Sequence, residues 1–186
     1  MKRKLLSLLL VLAMVFTLLP TAAFAADDWA VSGTTVGNLK YEIMKSGYAR
    51  VAGIGQPGVQ EIVIPETIGD GIPVLAIKDR AFKNVGLTSV TISESVTEIG
   101  EEAFMNCKKI SAVNFEGADA YLGERAFKNC TSLTEMYVPA SGILYDGTFA
   151  GCTSLAGVAL EYGNMYVEEG TFTGCTSLEY IYLPAS

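Results

Sequence analysis

The chain has 186 residues, half of them hydrophobic, with 13 Lys and Arg against 20 Asp and Glu, no His and a formal charge of −7. An acidic chain without a basic run argues against nucleic acid and anionic membrane surfaces as partners. The lack of His removes the commonest general base and the commonest metal ligand.

Lys2, Arg3 and Lys4 precede an uncharged apolar stretch from Leu5 to Leu19, followed by Pro20 and the small-residue pattern Ala23-Phe24-Ala25. This is the layout of a signal peptide over residues 1–25, with cleavage expected after Ala25 and a secreted or cell-surface destination. The apolar run is shorter than the roughly 20 residues a membrane-spanning helix needs, so no membrane segment is expected in the mature form. No Cys follows the small residues, which argues against lipoprotein attachment. Residues 26–186 are then one domain's worth of chain, with a formal charge of −10 once Lys2, Arg3 and Lys4 are removed.

Residues 26–38 mix charge, Gly and Thr without periodicity and read as a linker or lead-in. Two strand-like runs, Leu39 to Met44 and Tyr48 to Ile54, flank Lys45-Ser46-Gly47 and predict a hairpin. A solenoid must cover its open apolar end, so this hairpin is assigned as an N-terminal cap. Gly55-Gln56-Pro57-Gly58 turns the chain into Val59 to Pro65, an atypical first coil with Ile62 and Ile64 facing in; cap and first coil together span 39–70.

From residue 71 to 186 the chain repeats. Phe82, Phe104, Phe127, Phe149 and Phe172 are spaced by 22, 23, 22 and 23 residues, a period that marks a solenoid. Each Phe is followed two residues later by Asn84, Asn106, Asn129, Gly151 or Gly174, types that tolerate positive φ and predict a left-handed turn. One residue further stand Val85, Cys107, Cys130, Cys152 and Cys175. An L-x-x-V-x-I run then follows, as in Leu87, Val90, Ile92 or Leu178, Ile181, Leu183, and predicts five short strands in one parallel ladder. A second apolar pair before each Phe (Val74 and Ile77, Val96 and Ile99, Tyr121 and Leu122, Ile143 and Leu144, Tyr166 and Val167) is expected to form the opposite wall. The chain stops just after a strand, which leaves an apolar rung without a polar cap. That end suggests either further chain or self-association through it.

Stretches such as Ala126-Phe127-Lys128-Asn129-Cys130-Thr131-Ser132-Leu133 and Thr171-Phe172-Thr173-Gly174-Cys175-Thr176-Ser177-Leu178 resemble the BspA-like class of bacterial leucine-rich repeats, from about Leu39 to the last residue. The resemblance implies an α/β-type repeat that is mostly β and loop. Its form would be a right-handed solenoid with a parallel strand ladder and an N-terminal hairpin. It also implies an exported or surface-displayed protein used for adhesion and partner binding. It carries over no catalytic residues.

Rungs about 4.8 Å apart stack the five Phe into a structural spine. Disulfides between rungs would strain the geometry, because side chains in one column point in parallel. Metal binding needs converging ligands, and no CxxC pair or His is present. Cys107, Cys130, Cys152 and Cys175 therefore read as reduced, buried thiols in place of Val85.

The carboxylate pairs Asp27-Asp28, Glu101-Glu102 and Glu168-Glu169 read as solvated turn residues, and Asp79, Glu101, Glu124, Asp146 and Glu169 as a repeat feature. With no nucleophile motif, phosphate loop or metal cluster, the chain reads as a non-enzyme that needs no cofactor. The outer side of the ladder is the candidate binding face. Tyr137, Tyr180 and Tyr182, beside Glu135, Glu161 and Glu179, would meet an extracellular protein or glycan. A structural spacer, or the N-terminal part of a longer surface protein, is the alternative.

Overall fold

The computed structural model describes residues 28–117, 119–139, 143–160 and 166–183. The signal-peptide reading and its cleavage at Ala25 lie outside these residues. So do Asp27, Glu161 and the last three residues of the chain.

Strands β1 (Ala30–Val36), β2 (Leu39–Met44) and β3 (Ala49–Ile54) form an antiparallel meander. The lead-in expected over 26–38 thus contains a strand. Its burial pattern is almost wholly exposed, so apolar periodicity, the signal used to find strands, is missing there. What orders it is backbone pairing with β2, from Ala30 opposite Met44 to Val36 opposite Leu39.

The coils then follow. They comprise β4 (Glu61–Ile64), β5 (Thr67–Ile68), β6 (Ile72–Ile77), β7 (Ser89–Ser93), β8 (Glu98–Ile99), β9 (Ala112–Glu116) and β10 (Tyr121–Leu122). Further along are β11 (Glu135–Val138), β12 (Ile143–Leu144), β13 (Gly157–Leu160), β14 (Tyr166–Val167) and β15 (Tyr180–Tyr182). Among the described residues there is no helix; each coil is strand and turn throughout. One wall runs β1-β2-β3-β6-β8-β10-β12-β14, parallel from β3 onward. The hairpin extends this wall, with β3 paired in parallel to β6.

On this wall both residues of the first two expected pairs are buried, Val74 with Ile77 and Val96 with Ile99, whereas the later pairs turn at most their second residue inward and Val167 is exposed. Ile77, Ile99, Leu122 and Leu144 are buried, whereas Tyr121 and Tyr166 are exposed. Neighbouring residues of a strand point to opposite faces, so Tyr121 and Tyr166 belong to the expected wall but face outward from it.

The other wall is not one ladder. It divides into β4-β7-β9 and β11-β13-β15. The break falls at Phe115, whose column is otherwise Ile64, Ile92, Val138 and Leu160. Those four are buried, but the Phe115 ring is too large for the column and stays half-buried against the core. At this step the hydroxyls of Ser132 (2.7 Å) and Thr131 (3.4 Å) donate to the Lys108 carbonyl.

Between the walls stack the five Phe rings, with centroids 5.1, 5.1, 5.8 and 5.6 Å apart and planes within 17° of parallel. Phe82, Phe104, Phe127 and Phe149 are fully buried and Phe172 is half-buried.

The turn edge is a third ladder. The N–H groups of Arg80, Phe82 and Asn84 donate to the carbonyls of Glu101, Ala103 and Met105 one coil on. Glu102, Phe104 and Asn106 donate in the same way to Glu124, Ala126 and Lys128. Pointing alternate amides at the next coil goes with left-handed residues on both sides of Phe82, Phe104, Phe127 and Phe149. Asn84, Asn106, Asn129, Gly151 and Gly174 supply one set, with φ between 59° and 78°. Arg80, Glu102, Arg125 and Gly147 supply the other, with φ of 59°, 54°, 57° and 66°.

Candidate binding face

The outer residues of β11, β13 and β15 form two columns. Register places Glu135, Gly157 and Tyr180 side by side in one, and Tyr137, Ala159 and Tyr182 in the next. Each column arises because residues two apart on a strand share a face, while Met136 and Val158 between them are buried and Ile181, on the last strand, is 42% exposed. Toward the first coils the same columns carry Ser89 with Ala112 and Thr91 with Asn114, small groups that offer little contact area.

The three Tyr are 44% (Tyr137), 50% (Tyr180) and 60% (Tyr182) exposed. The Tyr180 ring lies back across Gly157, so that a Cβ at Gly157 would collide with it. Its hydroxyl donates to Glu135 Oε1 at 3.3 Å, spanning the full column. The Glu135 charge, first among the causes, raises the Tyr180 hydroxyl pKa above its ordinary value. Glu179 is exposed just before β15, where its N–H donates to the Ala156 carbonyl at 2.9 Å. Glu161 lies outside the described residues. The structure thus brings Glu135 and Tyr180 into contact and leaves Tyr137 and Tyr182 flanking Ala159.

The four thiols are free. Each Sγ donates to the carbonyl of the Phe one coil back: Cys107 to Phe82 (3.0 Å), Cys130 to Phe104 (3.3 Å), Cys152 to Phe127 (3.2 Å) and Cys175 to Phe149 (3.1 Å). Burial pushes the Cys107 and Cys152 thiols up to about 12 and the other two upward as well. The column is protonated and unreactive at neutral pH.

Two charged groups were not read as sites in the sequence. Glu102, taken there as a solvated turn residue, has a side chain only 8% exposed. It is bound by Arg80 (2.7 Å) and Lys83 (2.8 Å), with Arg125 at 3.6 Å. Hydrogen bonds from Lys83 and then Arg80 hold its pKa down to about 2. The available signal was that Arg80, Glu102 and Arg125 occupy one repeat position with alternating charge.

The second group lines a recess of about 210 Å³ beside the N-terminal hairpin, formed by Asp28, Tyr48, Arg50, Lys78, Asp79 and Glu98 with Ala76 and Ile77. Burial raises the Glu98 pKa, and one of its oxygens is buried without a hydrogen-bond partner. Asp28 is not merely solvated, since it accepts from the Ser46 N–H (3.1 Å) and hydroxyl (2.6 Å) and ties down the β2–β3 turn. Pairing across coils is what brings these groups together, and no local motif announces it.

The family model for the BspA type leucine rich repeat region matches six copies over residues 74–186. Among solved structures, a leucine-rich repeat protein from Bacteroides capillosus is 27% identical with a TM-score of 0.59, over 70% of this chain and 99% of that one. A leucine rich cell surface protein from Faecalibacterium prausnitzii is 21% identical with a TM-score of 0.53, over 82% of this chain and 55% of that one. The pneumococcal vaccine antigen PcpA is 22% identical with a TM-score of 0.59, over 75% of this chain and 40% of that one. The last two are similar in fold alone. This chain spans about half or less of their length. No curated protein matches the chain.

Proposed function

From the premise that the chain belongs to the BspA type leucine-rich repeat family, we propose that it is an exported, surface-displayed binding protein. Its partner is an extracellular protein or glycan, met by the outer face of β11, β13 and β15. The observation that carries this reading is the grouping of Tyr137, Tyr180 and Tyr182 on one rigid sheet, each more than two-fifths exposed. Tyr supplies large contact area with a polar tip at small entropic cost, and a sheet holds it without an ordering penalty. A cell-surface setting is supported by the description of the Faecalibacterium protein with the same fold. The basic, apolar and small-residue order of residues 1–25 supports export.

The test is attachment of the secreted chain to the surface of host or neighbouring cells. Changing Tyr137, Tyr180 and Tyr182 together to Ala is expected to abolish attachment while the unfolding midpoint stays within a few degrees. Undiminished attachment by this variant would instead assign the coil to a spacer role.

A further inference from the structure

We infer that the notch over Ala159, walled by Tyr137, Tyr180 and Tyr182, seats the cationic side chain of a basic protein segment. This rests on the binding role proposed for the same face and narrows its partner.

Three observations converge on the notch. First, register sets Tyr137 and Tyr182 on either side of the Ala159 methyl. Two rung spacings separate them, roughly 9.6 Å between backbones, which leaves room for one side chain between two rings. Second, the Tyr180 ring, laid across Gly157 and tethered to Glu135, closes the neighbouring column. Tyr137 and Tyr182 thus stand on the strands beside Ala159, with the Tyr180 ring and the Glu135 carboxylate in the adjoining column.

Third, charge is segregated across the molecule. Strands β4, β7, β9, β11, β13 and β15 carry Glu61, Glu116 and Glu135 but no Lys or Arg. The ion pairs among the described residues lie on the other wall and the turn edge. There Glu42 meets Arg50 and Lys78, while Glu101, Glu102 and Glu124 meet Arg80, Lys83 and Arg125. Among the described residues no Lys or Arg forms an ion pair with Glu135 or Glu179. The nearest cations along the chain, Arg125 and Lys128, stand on the turn edge of the same coil, where Arg125 is engaged by Glu101, Glu102 and Glu124.

A cation over the faces of Tyr rings is attracted by the ring quadrupole, and a carboxylate at the rim supplies the counter-charge. The carboxylates also steer a basic partner to this face and repel an acidic one. A neutral sugar ring would gain from the rings but not from the charge, which is why a cationic segment is favoured.

The experiment measures binding of the purified full chain to a short lysine-serine peptide and to the same peptide with every lysine acetylated. Three variants accompany the parent. Ala159→Phe fills the notch with no change of charge. The Tyr137→Ala, Tyr182→Ala pair removes two walls. Glu116→Gln removes a face carboxylate away from the notch. Acetylation, the filled notch and the lost walls are each expected to weaken binding roughly tenfold or more, as loss of a cation–aromatic seat implies. Glu116→Gln should stay within about twofold.

Equal binding by the acetylated peptide, or parent-like binding by both notch variants, would overturn the seat. The first outcome would point to neutral contacts and the second to charge attraction alone. The exposed Tyr pair can be removed without disturbing the core, so misfolding of Ala159→Phe does not rescue the idea. If the lysine peptide fails to bind while the triple Tyr variant still abolishes cell attachment, the cation seat is wrong and the binding face stands. If attachment survives that variant, the binding-face reading itself fails.

Discussion

Phe127 is clamped between two rings, 5.1 Å from Phe104 and 5.8 Å from Phe149, with no exposed surface. Its column neighbours are equally confined, so truncation leaves a cavity that neither wall can collapse into. Phe127→Ala is expected to cost about 3 to 5 kcal/mol, measured by urea unfolding; a loss under about 1 kcal/mol would contradict a load-sharing spine. The thiol column obeys the same confinement. A thiol can donate to the carbonyl of the preceding coil where Val could not, which gives Cys a reason to occupy the position beyond its size. In the folded chain at pH 8, thiol reagents should label Cys107, Cys130 and Cys152 extremely slowly, and all four groups should titrate once the chain is unfolded. Rapid labelling of the native chain, or fewer than four groups after unfolding, would rule out a buried reduced column.

At the scale of the element, the turn edge shows how a local cost is repaid by pairing between coils. Arg80, Glu102 and Arg125 adopt left-handed backbone without being Gly or Asn, at roughly 1 to 2 kcal/mol each. Their amides thereby bond the next coil, and their side chains form the ion pairs around Glu102. Asn106 Nδ2 donates to Asn84 Oδ1 (2.8 Å), and Asn129 Nδ2 to Asn106 Oδ1 (2.9 Å), a side-chain ladder beside the backbone one. The pH dependence follows from Glu102. Its folded pKa, about 2, lies below the unfolded value of about 4.3. Its contribution is therefore complete above the unfolded value and is lost as pH falls through about 2. Urea midpoints measured from pH 5 down to pH 2 should fall, and Glu102→Gln should flatten that fall. An unchanged slope in the variant would show that the cluster is not coupled to folding.

For the whole molecule, the core of each coil packs on its immediate neighbours, while the Tyr180–Glu135 contact reaches one coil further, so stability is close to a sum of coil and interface contributions. Phe172 is half-buried, and its stacking contact is with Phe149. Phe172→Ala should thus cost clearly less than Phe127→Ala, by about half or more, in the same urea assay. Equal losses would mean that the array folds as one block without nearest-neighbour character. Charge follows the same large-scale order, with the ion pairs of the described residues on the turn edge and second wall, and on the face that carries the Tyr cluster a carboxylate, Glu135, held by a Tyr hydroxyl and by no described cation.

Much of this was legible in the order of residues. A period of 22 to 23 residues dictates stacked coils, because an apolar column repeated at that spacing can be buried only against its own copies. Asn84 and its column announced a left-handed turn by residue type. Tyr137, Tyr180 and Tyr182 could be placed on an outer face by alternation alone. Tertiary structure decided the rest. β1 exists through pairing rather than pattern. The outer ladder breaks where the Phe115 ring exceeds its column. Arg80, Glu102 and Arg125 turn left-handed because amides must reach the next coil. Tyr180 reclines over Gly157 to Glu135, 45 residues away, only because parallel stacking sets three coils side by side. Local residue types encode what a coil is; which side chains meet depends on how one coil registers on the next.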